Sequence, residues 1–104
     1  MATYCISFRI ADQIANGRSY NERRQSLIGA ATASDGGYWD STTSFILVES
    51  PLHTVEFAKS VCSGLSREHD TAVVFDPGDM SMCYFGQVPA KEVLKSFFVA
   101  PTAI

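Results

Sequence analysis

Alternation opens the chain. From Thr3 to Ile10, Tyr4, Ile6, Phe8 and Ile10 take every second position, and Cys5, Ser7 and Arg9 take the others. A period of two predicts a strand with one strongly apolar face. The next residues, 11–18, are polar and close on the turn dipeptide Asn16-Gly17, which predicts a loop. At Ser19 the pattern changes. Ser19-Tyr20-Asn21-Glu22 has the form of a capping box, in which each end satisfies an exposed backbone donor. A helix follows with Tyr20, Leu27, Ile28 and Ala31 on one face, and Asp35-Gly36-Gly37 stops it.

The centre of the chain predicts two strands, 38–41 and 44–50, with a tight polar reversal between them. In the second, Phe45, Leu47 and Glu49 alternate with Ile46, Val48 and Ser50, so both faces are apolar through the middle. Such a strand belongs inside a sheet that is covered on both sides. Ser50-Pro51 reads as a helix start, with Ser50 as cap. Thr54, Phe57, Ala58, Val61, Cys62 and Leu65 then form a helical apolar stripe. Residues 71–75 predict a fourth strand. Asp76-Pro77-Gly78-Asp79 predicts a turn with Gly78 in the left-handed position. A fifth strand is expected over 80–88, a short helix over 89–98, and a tail over 100–104.

The order β-α-β-β-α-β plus one strand and one helix predicts an α+β fold. It is the plan of a ferredoxin-like βαββαβ sandwich with an additional C-terminal strand and short helix, in a single domain over 1–104. Both main helices would cover one face of the sheet. The apolar residues on the other face then need a cover, and an isologous homodimer is the simplest one. The last helix folded over that face is the alternative. Phe45, Leu47, Met82 and Tyr84 are the expected interface residues.

Composition adjusts this picture. At 18% charged residues the chain is sparsely charged, which fits a surface partly covered by a partner. A net charge of −3 sets the average field against nucleic acid. Three cysteines without a CxxC spacing read as small core residues in a reducing cytoplasm. No apolar run is long enough to span a membrane. No cofactor motif is present, neither G-x-G-x-x-G nor a phosphate loop, and no metal-ligand spacing occurs.

The run 43–65, a strand followed by Ser50-Pro51 and an amphipathic helix, resembles the small CRISPR-adaptation protein family and its VapD-type toxin relatives. The set Tyr20, Arg23-Arg24, Tyr38-Trp39-Asp40 and Thr42-Thr43-Ser44-Phe45 is more closely similar to short bacterial proteins of the SinR-labelled family. The resemblance covers about residues 3–76. It implies a homodimer whose C-terminal strand, here 80–88, crosses to the partner's sheet. It also implies a metal-holding Asp at the end of the first strand. Arg9 stands there instead, with Asp12 three residues on, and a cation at that place disfavours Mg²⁺.

Candidate chemistry is sparse. Arg18, Arg23 and Arg24 open the first helix and are the best phosphate contacts, with Arg9 beside them, since Arg binds phosphate bidentately. A solvated helix face explains the first three more cheaply, and an ion pair with Asp12, Asp40 or Glu49, across the sheet or across the dimer, explains Arg9. Asp12 is the sole weak catalytic candidate, and Asp12, Asp76 and Asp79 are expected at one end of the sheet. No serine or cysteine has a motif that supplies a base, and His53 and His69 read as surface residues. The expectation is a small dimeric CRISPR-adaptation-like protein, without metal-dependent nuclease activity, that contacts nucleic acid or a protein partner. The alternatives are a VapD-type toxin ribonuclease and a structural or regulatory dimer with no nucleic-acid role.

Overall fold

In the computed structural model, which describes residues 1–104, strand β1 runs from Ala2 to Arg9 and helix α1 from Tyr20 to Ala31. Strands β2 (Tyr38–Trp39) and β3 (Phe45–Ser50) follow, then α2 (Thr54–Cys62). Strands β4 (Thr71–Asp76) and β5 (Ser81–Gly86), helix α3 (Lys91–Lys95) and strand β6 (Ala100–Ala103) complete the chain. The six strands form one mixed sheet in the order β2-β3-β1-β4-β5-β6. Every pairing is antiparallel except β5 with β6.

The alternation in β1 does what it predicts. Tyr4, Ile6, Phe8 and Ile10 point into a core shared with Ile46 and Val48 of β3, Ala72 and Val74 of β4, and Cys83 and Phe85 of β5. Leu27 and Ala31 of α1 and Phe57, Ala58 and Val61 of α2 close that core from above. Both long helices therefore lie on one side of the sheet. The capping box of Ser19 and Glu22 is present: Glu22 N–H donates to Ser19 Oγ (3.1 Å), and Ser19 N–H donates to Glu22 Oε1 (2.9 Å).

Several local expectations are corrected. Ser50 ends β3 rather than capping α2, and its hydroxyl accepts from Leu52 N–H (3.2 Å). The connector 51–53 is held in place by Tyr4, whose hydroxyl donates to the Leu52 carbonyl (2.6 Å), so the helix begins only after His53. In the β4–β5 turn Met80, not Gly78, takes the left-handed backbone (φ 59°). The Asp76 side chain accepts from Gly78 N–H and the Asp76 carbonyl from Met80 N–H, which places the reversal two residues later. Asn16 and Gly17 both have positive φ (56° and 71°), making a two-residue reversal closed by the Ala15–Arg18 bridge.

The C-terminal part departs most. The tail expected over 100–104 is strand β6, parallel to β5. The strand expected to cross to a partner pairs instead with β4 of its own chain, from Thr71–Gly86 to Asp76–Ser81. A short turn joins the two strands, and local closure of a hairpin costs little entropy. Between β5 and β6 the chain passes over the side of the sheet opposite α1 and α2. There Phe98 packs on Phe75 (ring centroids 5.2 Å apart), and Lys91 Nζ lies 5.9 Å from the Tyr84 ring. No helix is long and apolar enough to cross a membrane.

Candidate interaction surface

Four arginines are candidate phosphate contacts, and the fold sends them to different places. Arg23 is fully buried, at 0% exposure, so it is neither a surface contact nor part of a solvated helix face. Its Nε donates to Asp70 Oδ2 (2.9 Å), and Asp70 is also at 0% exposure. Its other donors reach the carbonyls of Gln13 (2.8 Å), Arg18 (2.7 Å) and Ala11 (2.7 Å), and Asp70 Oδ1 (3.4 Å). Asp70 in turn accepts from the backbone N–H of Ala11 (2.9 Å) and Ser66 (2.8 Å). Burial alone would push its carboxyl up. The bonds from Arg23, Ser66 and Ala11, with the Arg23 charge, outweigh burial and hold it below the ordinary carboxylate range. The pair clamps the loop 11–18 to the loop 66–70.

Arg24 is half-buried. Its guanidinium donates to the Thr43 carbonyl (3.1 Å) and lies 6.0 Å from the Phe8 ring centroid. Arg18 is exposed and reaches toward Gly64, beside α2. Arg9 is exposed at the last position of β1, on the side away from α1 and α2, and makes no ion pair. Within one copy, the expected pairing of Arg9 with Asp12, Asp40 or Glu49 does not form. Asp12 lies beyond the C-terminal end of β1. Asp76 and Asp79 lie at the opposite end, because β4 runs antiparallel to β1 with Cys5 against Phe75 and Arg9 against Thr71. The three carboxylates therefore do not gather. No cluster of metal-ligating side chains forms anywhere in the chain.

The face away from the long helices carries the strongest signal. Register pairs Trp39 with Leu47, Leu47 with Cys5, Cys5 with Phe75, and Phe75 with Met82. Residues paired across a ladder point to the same side, so these five make one apolar row across the sheet. The segment around α3 covers its β4–β5 part. Met82 is completely buried there and Tyr84 half-buried, which removes Met82 from the expected interface and puts Tyr84 under the chain's own Lys91. The β2-β3-β1 part is open. Leu47 is 37% and Trp39 46% exposed, and Phe45 beside them is half-buried. Val93, Phe97 and Val99, on the segment that covers the other half, are exposed as well.

Charges frame this open area. Thr3 pairs with Glu49 at one end, then Cys5 with Leu47, then Ser7 with Phe45, and Arg9 follows at the other end. At about 3.4 Å per residue, the six residues from Thr3 to Arg9 put the Glu49 level and Arg9 roughly 20 Å apart. The pairing that aligns Trp39 with Leu47 was not legible in the sequence, because a two-residue strand has too little pattern to fix a register.

The three thiols, Cys5, Cys62 and Cys83, are buried and unpaired, and burial pushes each of them up, Cys62 to about 12. Neutral thiols of this kind are poor nucleophiles. The chain matches no protein-family model, no curated protein and no solved structure.

Proposed function

We propose that this protein is a non-catalytic assembly module that forms a two-fold dimer through the open β2-β3-β1 part of its sheet. The observation that carries the reading is the exposed Trp39–Leu47 pair on a face whose other half the chain covers for itself. A second copy is the occupant that the charges favour. Under a two-fold axis perpendicular to the strands, the face of one copy meets the other with strand direction reversed. Leu47 and Trp39 then lie over Phe45, and Glu49 meets Arg9. An isologous contact needs this kind of self-complementarity, and the same axis places each charge near its opposite.

A ferredoxin-like reading of the first six elements is part of this proposal. It is supported by the strand order β2-β3-β1-β4 with α1 and α2 on one side. It keeps the CRISPR-adaptation-like reading in view, as a dimer built on faces rather than on an exchanged strand. Three unpaired cysteines favour a reducing cytoplasm. Among these arginines a nucleic-acid role draws support from exposed Arg18 alone, since Arg9 faces Glu49 in the proposed dimer. One such contact per copy predicts a shallow salt dependence of binding to duplex DNA or RNA.

Sedimentation equilibrium at micromolar concentration tests the assembly. The intact protein is expected to be a dimer, and Leu47→Asp a folded monomer with an unchanged far-UV spectrum. A monomer at every concentration tested sinks the proposal.

A further inference from the structure

We infer that a cleft at the C-terminal end of α2 binds a small organic anion, a phosphate or carboxylate carried on a compact apolar body. The cleft has a volume of about 280 Å³, at the small end for ligand sites. Leu65, Phe85 and Ile104 supply an apolar wall, and Lys59 and Arg67 are the charged groups that line it. No carboxylate side chain is among its lining residues, and neither cation makes an ion pair with an Asp or Glu.

A third cation, Arg18, lies beside the cleft without lining it. Gly64 lies between two lining residues, Ser63 and Leu65, and the Arg18 guanidinium approaches it so closely that a β-carbon there would sit 2.8 Å away. Glu22, the acid nearest Arg18 in sequence, is held ionised by its hydrogen bonds to Ser19 and by the Arg18 charge, and so offsets Arg18 in part. In a protein of net charge −3, two cations lining one concave apolar surface reverse the average field locally. The end of α2 does not cancel them, since the carbonyls of Ser60 and Cys62 already accept from Ser63 and Leu65 N–H.

Arg67 is held ready. It lies 4.8 Å from the Phe85 ring centroid and gives one N–H to the main-chain oxygen of Ile104. A guanidinium has five donors, so four remain for a ligand. The arrangement binds rather than transforms. Cys62, the thiol that lines the cleft, is neutral, and the Ser63 hydroxyl donates to the Ser60 carbonyl with no base beside it. The cleft is on the helix side of the sheet, away from the Trp39–Leu47 surface, so its occupation does not depend on the dimer.

Calorimetric titration of the intact protein at low ionic strength, with phenyl phosphate, benzoate, inorganic phosphate and phenol, tests the site. Phenyl phosphate or benzoate is expected to bind saturably, and the tighter of the two identifies the head group. Inorganic phosphate should be about tenfold weaker for lack of the apolar contact, and phenol should not saturate. Lys59→Gln, at an exposed position, and Arg67→Gln should each weaken the binding by about tenfold, with an unchanged melting temperature for Lys59→Gln. Absence of saturable binding by the intact protein overturns the assignment. So does equal binding of phenol, or equal binding of inorganic phosphate, or binding that survives both substitutions together.

Discussion

Arg23 carries five N–H donors and uses all five, two on Asp70 and three on carbonyls of the loop 11–18. A buried pair this well satisfied is costly to break from one side, because the remaining charge stays buried alone. Asp70→Ala is expected to cost about 3–5 kcal/mol in urea unfolding. Arg23→Lys is not conservative either. Lys has three donors, so carbonyls go unpaired, and a loss of at least about 2 kcal/mol is expected. The pH dependence has a definite sign. Asp70 has a folded-state pKa below its unfolded one, so its stabilisation is complete above the ordinary carboxylate range. That stabilisation is lost as pH falls through the lowered value. Urea midpoints measured from neutral pH down into acid should converge for the intact protein and Asp70→Asn. Parallel curves would count against the clamp. Little of this pair was legible beforehand. Arg23 does stand four residues before Leu27 and eight before Ala31, on the buried stripe of α1, but a charge at such a place reads as solvated until its partner is known. The partner lies in an irregular loop 47 residues away, where no periodicity points to it.

At the scale of elements, patterned stretches were legible and unpatterned ones were not. β1 and the buried stripe of α2, though not the start of α2, were legible because alternation in one and an apolar stripe in the other leave a single face to bury. β6 was read as a tail because Ala100–Ala103 is four residues long and holds Pro101. Proline is tolerated in a strand at the edge of a sheet, and that is where β6 lies. The same local reasoning separates two glycines. Gly29 is exposed within α1, and a β-carbon there meets nothing within 4 Å. Gly29→Ala should therefore stabilise the fold by about 0.5–1 kcal/mol, the gain of alanine over glycine inside a helix. Gly86 ends β5 at φ +81°, and a β-carbon there would lie 1.9 Å from the Asp70 carbonyl oxygen. Gly86→Ala should cost at least about 1–3 kcal/mol from the backbone conformation alone, with the collision added. Thermal unfolding of the two variants should move in opposite directions, and a shift of the same sign in both would contradict the geometry at Gly86.

The whole molecule poses the question of what lies over the open half of the sheet. Two-sided apolarity in β3 was legible as a demand for cover, but the sequence does not say how that demand divides. The chain meets it over β4 and β5 with the segment around α3 and leaves it unmet at Trp39 and Leu47. If a second copy fills the gap with strands reversed, Arg9 and Glu49 meet across the interface, and symmetry makes each such pair occur twice. One exposed pair contributes only about 0.2–1 kcal/mol. Reversing one charge, however, replaces two attractions with two repulsions, so Arg9→Glu is expected to weaken the dimer by about tenfold or more. Glu49→Arg should weaken it comparably. Its effect also includes loss of the Glu49 bond to Gly37 N–H (3.1 Å), so Arg9→Glu is the cleaner single variant. Arg9→Glu combined with Glu49→Arg restores opposite charges and should recover most of the affinity lost by either change. The differences should shrink in 1 M salt, where charges are screened within about 3 Å. Sedimentation of the three variants beside the intact protein decides the matter. A double variant no tighter than Arg9→Glu alone would leave the dimer without its strand-reversed geometry, whatever the apolar contact contributes.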